Sequence, residues 1–391
     1  MSSNGQASTK AHPRPDWDIA RAKQYHRVRR YWALGETALS LAGLSWFALS
    51  KRSLRLRRAL ERRLPDERLV TPGYLASTAA LSSLASLPLD AVRDLGIERA
   101  FGLTKQSAGS WLADRLKALA LNLAIGVPLG TGAMAVVRRR PSDWWLILAS
   151  VTVPITIVFS RLAPVLILPL FNKFERLDDP EILARIERLA ERAGLEIAAV
   201  YRMDMSRQTE KPNAFFTGLG KSKRIVLGDT LLDRFPPDEV EGVVAHEAAH
   251  QIRGDLWRLI ALGSVLGYGA AYLVNRLAPE AIRRTSPYTG VDSIGDVAAV
   301  PVVALVSSGV GWLLAPIGAA ASRAIERRAD RLALALTGKG NAYASALRRL
   351  AGLSLADPHP PAFVRLFAAT HPPIMERIAE AEKYAAVSAN T

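Results

Sequence analysis

Apolar residues in this chain are gathered into runs of about twenty, the length of helix that crosses a hydrocarbon layer. The runs fall at residues 31–50 (YWALGETALSLAGLSWFALS), 71–92, 116–137, 144–170, 256–275 and 297–320. Lipid offers no partner to a backbone N–H or C=O, so such runs must fold as helices. The first is weakened by Glu36, and the second by its serines and Asp90. Charges within spans rarely face lipid, so both are expected to line a cavity. The expected fold class is mainly α: a multi-span α-helical membrane bundle with a small α+β insertion.

The insertion is where the pattern changes. Residues 180–193 place Ile182, Ile186 and Leu189 at helical spacing and stop at Gly194. IAAVYRM (197–203), NAFFTG (213–218) and KRIVLGD (223–229) read as short strands separated by turn residues. Residues 238–250 return to helix, just after Pro236 and Pro237. The chain therefore divides into a disordered basic tail (1–30), an N-terminal membrane bundle of about four spans (31–171), a soluble α+β segment (172–255), two further spans (256–320) and a C-terminal helical segment (321–391). There is no internal repeat.

Composition removes several classes. The net charge is +15, but the basic residues flank the apolar runs, eight of them between residues 51 and 68. That distribution marks a membrane surface rather than a nucleic-acid-binding face, so no nucleic acid partner is expected. Similar numbers of basic residues lie before residue 31 and after residue 50, so charge does not fix the orientation. Cysteine is absent, which leaves His, Asp and Glu as metal ligands. An excess of arginine over lysine points to a GC-rich bacterial genome.

Of the six histidines, His12 and His26 carry no signal, and His359 reads as a loop residue in PHPP. Two others stand in His246-Glu247-Ala248-Ala249-His250. Residues four apart share a helix face, so both imidazoles can reach one zinc ion. Glu247 is placed to take a proton from an attacking water. A catalytic zinc site needs a third protein ligand and an open position. Position 256 is Leu, so the three-histidine pattern fails and a carboxylate must complete the site. Asp255 is too near the paired histidines, and Glu280, Asp292 and Asp296 sit at the far ends of the spans. Glu326 lies just past the last run, as the histidines lie just before the preceding one. If those two spans are antiparallel, both sites stand above one membrane face. In SRAIERRAD, Arg323, Glu326 and Asp330 share a helical face, and Asp330 is suited to hold a ligating histidine in its tautomer.

These residues resemble the type I CAAX prenyl endopeptidases, integral-membrane zinc metallopeptidases. The likeness runs through IERAFGLTKQS (97–107), APVLILPLFNKFERL (163–177), NAFFTGLGKSKRIVLGDTLL (213–232), SRAIERRAD and ADPHPPAFVRLFAATHPPIMERI (356–378). Eukaryotic members have seven spans where six are read here. The resemblance implies a zinc protease with ligands His246, His250 and Glu326, base Glu247, and a site facing a chamber on the cytoplasmic side of the cell membrane. His371 and Arg377 would donate to the oxyanion. Asn213, Ala214 and Phe215 would hold an extended substrate backbone by strand addition. The implied substrate is a peptide or protein, cut in maturation or in membrane quality control. Eukaryotic members cut prenylated proteins, but bacterial ones have no clear prenylated substrate, so a lipid-modified or membrane-bound substrate is an expectation that the resemblance does not fix. The competing reading is a nonenzymatic transporter or scaffold stapled by a structural zinc. Such sites are closed by four protein ligands, and only three good ones stand here beside a spare glutamate.

Overall fold

The computed structural model describes residues 17–218 and 223–389. The tail expected over residues 1–16 lies outside them, but helix α1 (Ile19–Leu49) already begins well before residue 31. Asp18 accepts a hydrogen bond from Arg21 N and caps it, so the charged stretch from Ile19 to Arg30 is helix rather than tail. Helices α2 (Arg52–Arg63), α3 (Val70–Ala91), α4 (Glu98–Ala100), α5 (Ala108–Leu121), α6 (Val127–Arg139) and α7 (Trp144–Leu162) complete the N-terminal bundle. One-turn π segments at Val92–Ile97, Asn122–Gly126 and Ala163–Ile167 interrupt its long helices.

Among the described residues, five helices are long and apolar enough to cross a membrane: Glu67–Ala100, Ala108–Arg139, Trp144–Leu170, Asp255–Thr289 and Val297–Thr337. Six had been expected. The run at 31–50 lies within α1, which is 31 residues long but too diluted by polar residues to join the five. Glu36 and Asp90 meet on Arg93, Glu36 at 2.8 Å, and Asp94 joins them at 2.8 Å and continues to Arg115. The charges inside the bundle thus satisfy one another, as intramembrane charges must.

The α+β segment holds β1 (Phe174–Arg176), α8 (Pro180–Ala193), β2 (Ala199–Met203), β3 (Ala214–Thr217), β4 (Arg224–Gly228), α9 (Asp229–Leu232) and α10 (Pro237–Arg253). The sheet order is β1-β2-β4-β3, with β2 and β4 parallel and the outer pairs antiparallel. Helix α8 starts on the Asp179 cap and ends at Gly194, in the left-handed conformation that suits glycine. One face of the sheet packs on α8 and α10, and Ile225, Leu227 and Leu231 there are fully buried.

Helix α10 ends at Gly254, whose φ of +63° admits no side chain without strain, and α11 (Asp255–Thr289) begins at once. This corner turns the chain from the α+β segment into the bundle. Helix α12 (Val300–Thr337) packs along α11 and on α10. It carries Glu326 on the same uninterrupted helix as the last apolar run, so the boundary expected at residue 321 does not exist. Side-chain polarity changes there, but the backbone hydrogen bonding has no reason to stop. Helices α13 (Gly340–Ser354), α14 (Ala362–Phe367) and α15 (Ile374–Ser388) follow, with α13 and α15 closing the core over α10.

Replacing Ile225 by Ala removes a fully buried side chain from the sheet–helix core. It should cost about 2–5 kcal/mol, read as a lower midpoint for unfolding of the α+β segment.

Candidate active site

Three ligand atoms converge where α10 crosses α12. Nε2 of His250 is 3.3 Å from Nε2 of His246. Oε2 of Glu326 is 3.2 Å from Nε2 of His246, and Oε1 is 3.6 Å from Nε2 of His250. Donors held about 2.0–2.2 Å from one tetrahedral ion lie about 3.3–3.6 Å apart. With one ligand atom taken from each residue the three lie within 4.8 Å of one another, a triangle that can close on a metal ion.

The hydrogen bonds behind the triangle turn its lone pairs inward. Nδ1 of His246 is 2.9 Å from Oδ1 of Asp330 and 3.1 Å from the hydroxyl of Tyr343. Nδ1 of His250 is 3.0 Å from Oδ2 of Asp255. Each carboxylate accepts the Nδ1 proton, which leaves both Nε2 atoms as acceptors facing each other. Oε2 of Glu326 is buried without a hydrogen bond of good geometry. Two imidazole lone pairs and a carboxylate oxygen in one buried spot repel unless a cation lies among them. The site's negative charge acts in the same direction: burial opposes a charged His246, yet Asp330 and Glu326 outweigh it and push its pKa up to about 9, so without a metal ion the imidazole itself takes up a positive charge. The described residues thus fit a divalent metal ion. Glu247 stands beside them, half-buried. Burial pushes its carboxyl above the ordinary carboxylate range, against the pull of His246 and His250.

Asp330, 2% exposed, also accepts from Tyr343 at 2.6 Å and from Arg377 at 2.8 and 2.7 Å. Burial raises the Tyr343 phenol well above its usual pKa, so its hydroxyl stays a donor. Arg377, expected to donate to the oxyanion, is anchored on Asp330. A guanidinium this buried needs a carboxylate, and two of its nitrogens bond Asp330. Arg323 also departs from its expected partners: it donates to the carbonyls of Arg365 at 2.5 Å and Ala369 at 2.8 Å. It thereby ties down the loop that carries His371, whose Nε2 is 3.3 Å from Oε2 of Glu326.

Strand β3 is one of the two edges of the sheet, β1 being the other. Asn213 turns its side-chain oxygen onto its neighbour's amide, Ala214 N at 3.0 Å, and its own carbonyl accepts from Gly228. In an antiparallel ladder bonded pairs alternate. Phe215, opposite Val226, therefore bonds inward, and the main chain of Ala214 and Phe216 faces outward.

Sequence reasoning missed two residues. Asp255 was weighed as a ligand and set aside, yet it holds His250. A carboxylate five positions beyond that histidine was the available signal. Tyr343 lies 97 positions from His246 and left no local trace.

Comparison with known proteins supplies the family. Residues 176–385 match the family model described as peptidase family M48, and residues 15–173 match that of the CAAX prenyl protease N-terminal region, with five membrane helices. Over 377 residues the chain is 29% identical to the uncharacterized metalloprotease YhfN of Bacillus subtilis, covering 94% of this chain and 86% of that protein. Over 217 residues it is 34% identical to CAAX prenyl protease 1 of Saccharomyces cerevisiae, covering 55% of this chain and 47% of that protein. The crystal structure of S. mikatae Ste24p superposes with a TM-score of 0.84 at 23% identity, covering 95% of this chain and 92% of that one, a likeness of fold. The class is thus a multi-pass membrane metalloprotease acting on peptide bonds, which sets aside the nonenzymatic scaffold. The chain belongs to peptidase family M48.

Tyr343→Phe deletes one hydroxyl and keeps the packing. Its expected effect is a roughly tenfold loss of metal affinity, measured by competition with a chelator. Unchanged affinity would show that the Tyr343 hydroxyl does not support His246.

Proposed function

We propose that this protein is a zinc metalloendopeptidase in which His246, His250 and Glu326 hold the ion and Glu247 is the general base. The observation that carries the reading is the inward-facing triangle of ligand atoms with Glu247 next to it. When bound, zinc supplies Lewis acidity to the water and to the scissile carbonyl. Glu247 takes one proton from the attacking water as its oxygen joins the carbonyl carbon. It then gives that proton to the leaving amine as the C–N bond breaks. Asp330, Tyr343 and Asp255 keep the two imidazoles oriented throughout. His371 donates to the carbonyl oxygen as negative charge builds there. Arg323 acts through His371, by fixing its loop.

The substrate backbone pairs with β3 in this reading, through the outward groups of Ala214 and Phe216, with Asn213 and Phe215 shaping the edge. Substrates are membrane-associated proteins reached from the cytoplasmic side of the cell membrane. The role we propose is membrane protein quality control, and the bacterial relative, itself an uncharacterized metalloprotease, supports the metalloprotease part of that reading. The printed name of the yeast relative favours a second reading, maturation of lipid-modified proteins.

Purified protein should contain about one zinc per chain and cleave casein until a chelator is added. Glu247→Gln should abolish cleavage and keep the zinc, whereas Glu326→Ala should strip or loosen it. Retention of both metal and activity in Glu326→Ala would remove Glu326 from the ligand set. His371→Ala should lower kcat by roughly two orders of magnitude at constant zinc content, and Arg323→Gln should follow in the same direction but less far. Phe216→Pro should raise KM, because it removes an outward donor, whereas Phe215→Pro should damage the sheet itself.

A further inference from the structure

The basic stretch at residues 51–68 plays no part in the peptidase site. It folds largely as α2, and α2 is bolted to the bundle. Its buried Ser53 donates to the carbonyl of Ala298 at 2.6 Å and bonds the Tyr74 hydroxyl at 2.7 Å. Leu54 is buried in the core, and Arg57 pairs with Asp296 at 2.6 Å. Around it gather the end of α1 at Leu49, the start of α3 at Val70 and the start of α12 at Val300. Glu326 lies 26 residues further along α12, about 39 Å away at the rise of a helix, so α2 lies at the membrane face opposite the peptidase site.

The outer face of α2 is strongly basic, and its one carboxylate, Glu61, is taken up by Arg57. Lys51, Arg55, Arg58 and Arg62 are exposed and succeed one another at spacings of four, three and four, with exposed Arg63 beside them. None forms an ion pair among the described residues, and the nearby Glu61 is paired with Arg57. Like charges at these spacings oppose a helix, and the first turn of α2 has no acidic residue to offset its dipole. Arg62 and Arg63 in the last turn suit the dipole, but the repulsion along the row stays uncompensated within the protein, so external anions would relieve it. Its level identifies them: the membrane-capable helices Glu67–Ala100 and Val297–Thr337 both start beside α2, and Trp46, exposed and covered by the Arg52 guanidinium at 3.8 Å, marks the interface beside it.

We infer that α2 is a docking shelf for anionic phospholipid headgroups of the leaflet opposite the peptidase site, with Arg55, Arg58, Arg62 and Arg63 as the phosphate-binding side chains.

The test uses the full-length protein in a neutral detergent, titrated with dioleoyl phosphatidylglycerol or dioleoyl phosphatidylcholine and read by native mass spectrometry and thermal melting. Phosphatidylglycerol should bind at least tenfold more tightly than phosphatidylcholine and raise the melting temperature. The combined variant R55Q/R58Q/R62Q/R63Q should lose at least tenfold of that affinity yet melt no lower than the parent without lipid, because repulsion has been removed. Lysine at the same four positions should keep most of the binding. Should the combined variant not fold, Arg58→Gln alone, at one exposed side chain, should lose binding several-fold. Equal phosphatidylglycerol affinity in the parent and the glutamine variants would overturn the inference. So would equal affinity for the two lipids, or displacement of phosphatidylglycerol by inorganic phosphate at equal concentration.

Discussion

One buried carboxylate joins four helices in this molecule. Asp330 on α12 is bonded by His246 from α10, Tyr343 from α13 and Arg377 from α15. A carboxylate this deep must be fully paired, since removing a partner would leave charge uncompensated. Its need for partners therefore fixes where α10, α13 and α15 sit against α12. The same bonds point Nε2 of His246 at Glu326, one helical turn away. The constraint that assembles the C-terminal half is thus also the one that shapes the metal site.

The other histidine is held by a different device. Gly254 breaks the helix after α10, and the first residue of α11, Asp255, turns back onto His250. Asp255 is 1% exposed and is also approached by Arg258 at 3.1 Å. The corner that directs the chain into the membrane therefore supplies the group that orients a ligand. Helix α12 completes the arrangement, running unbroken from beside α2 to Glu326 and tying both faces of the bundle together.

Much of this was legible in the sequence, for physical reasons. A pair of histidines four apart can mean little else on a helix, and the antiparallel logic of two neighbouring spans selects Glu326 from among many carboxylates. Asp330 followed from its four-residue spacing to Glu326. What stayed hidden depends on contacts between distant segments. The pairing of Arg377 with Asp330 was not read, because its burial does not show in a linear pattern. Arg323 shares the face of Glu326 by spacing, yet the loop it holds comes from residues 365–369. The segment boundaries expected at residues 31 and 321 fall inside α1 and α12, because hydropathy reports where lipid begins and a helix continues across that limit.

The central claim is that His246, His250 and Glu326 bind one ion while Asp330 and Asp255 stand behind them. Anomalous X-ray diffraction at the zinc edge, on crystals of the metal-loaded full-length chain, tests it most directly. The account predicts a single strong peak about 2.0–2.2 Å from Nε2 of both histidines and from a carboxylate oxygen of Glu326. A peak bonded to Asp330 or Asp255 instead, or none between α10 and α12, would contradict it.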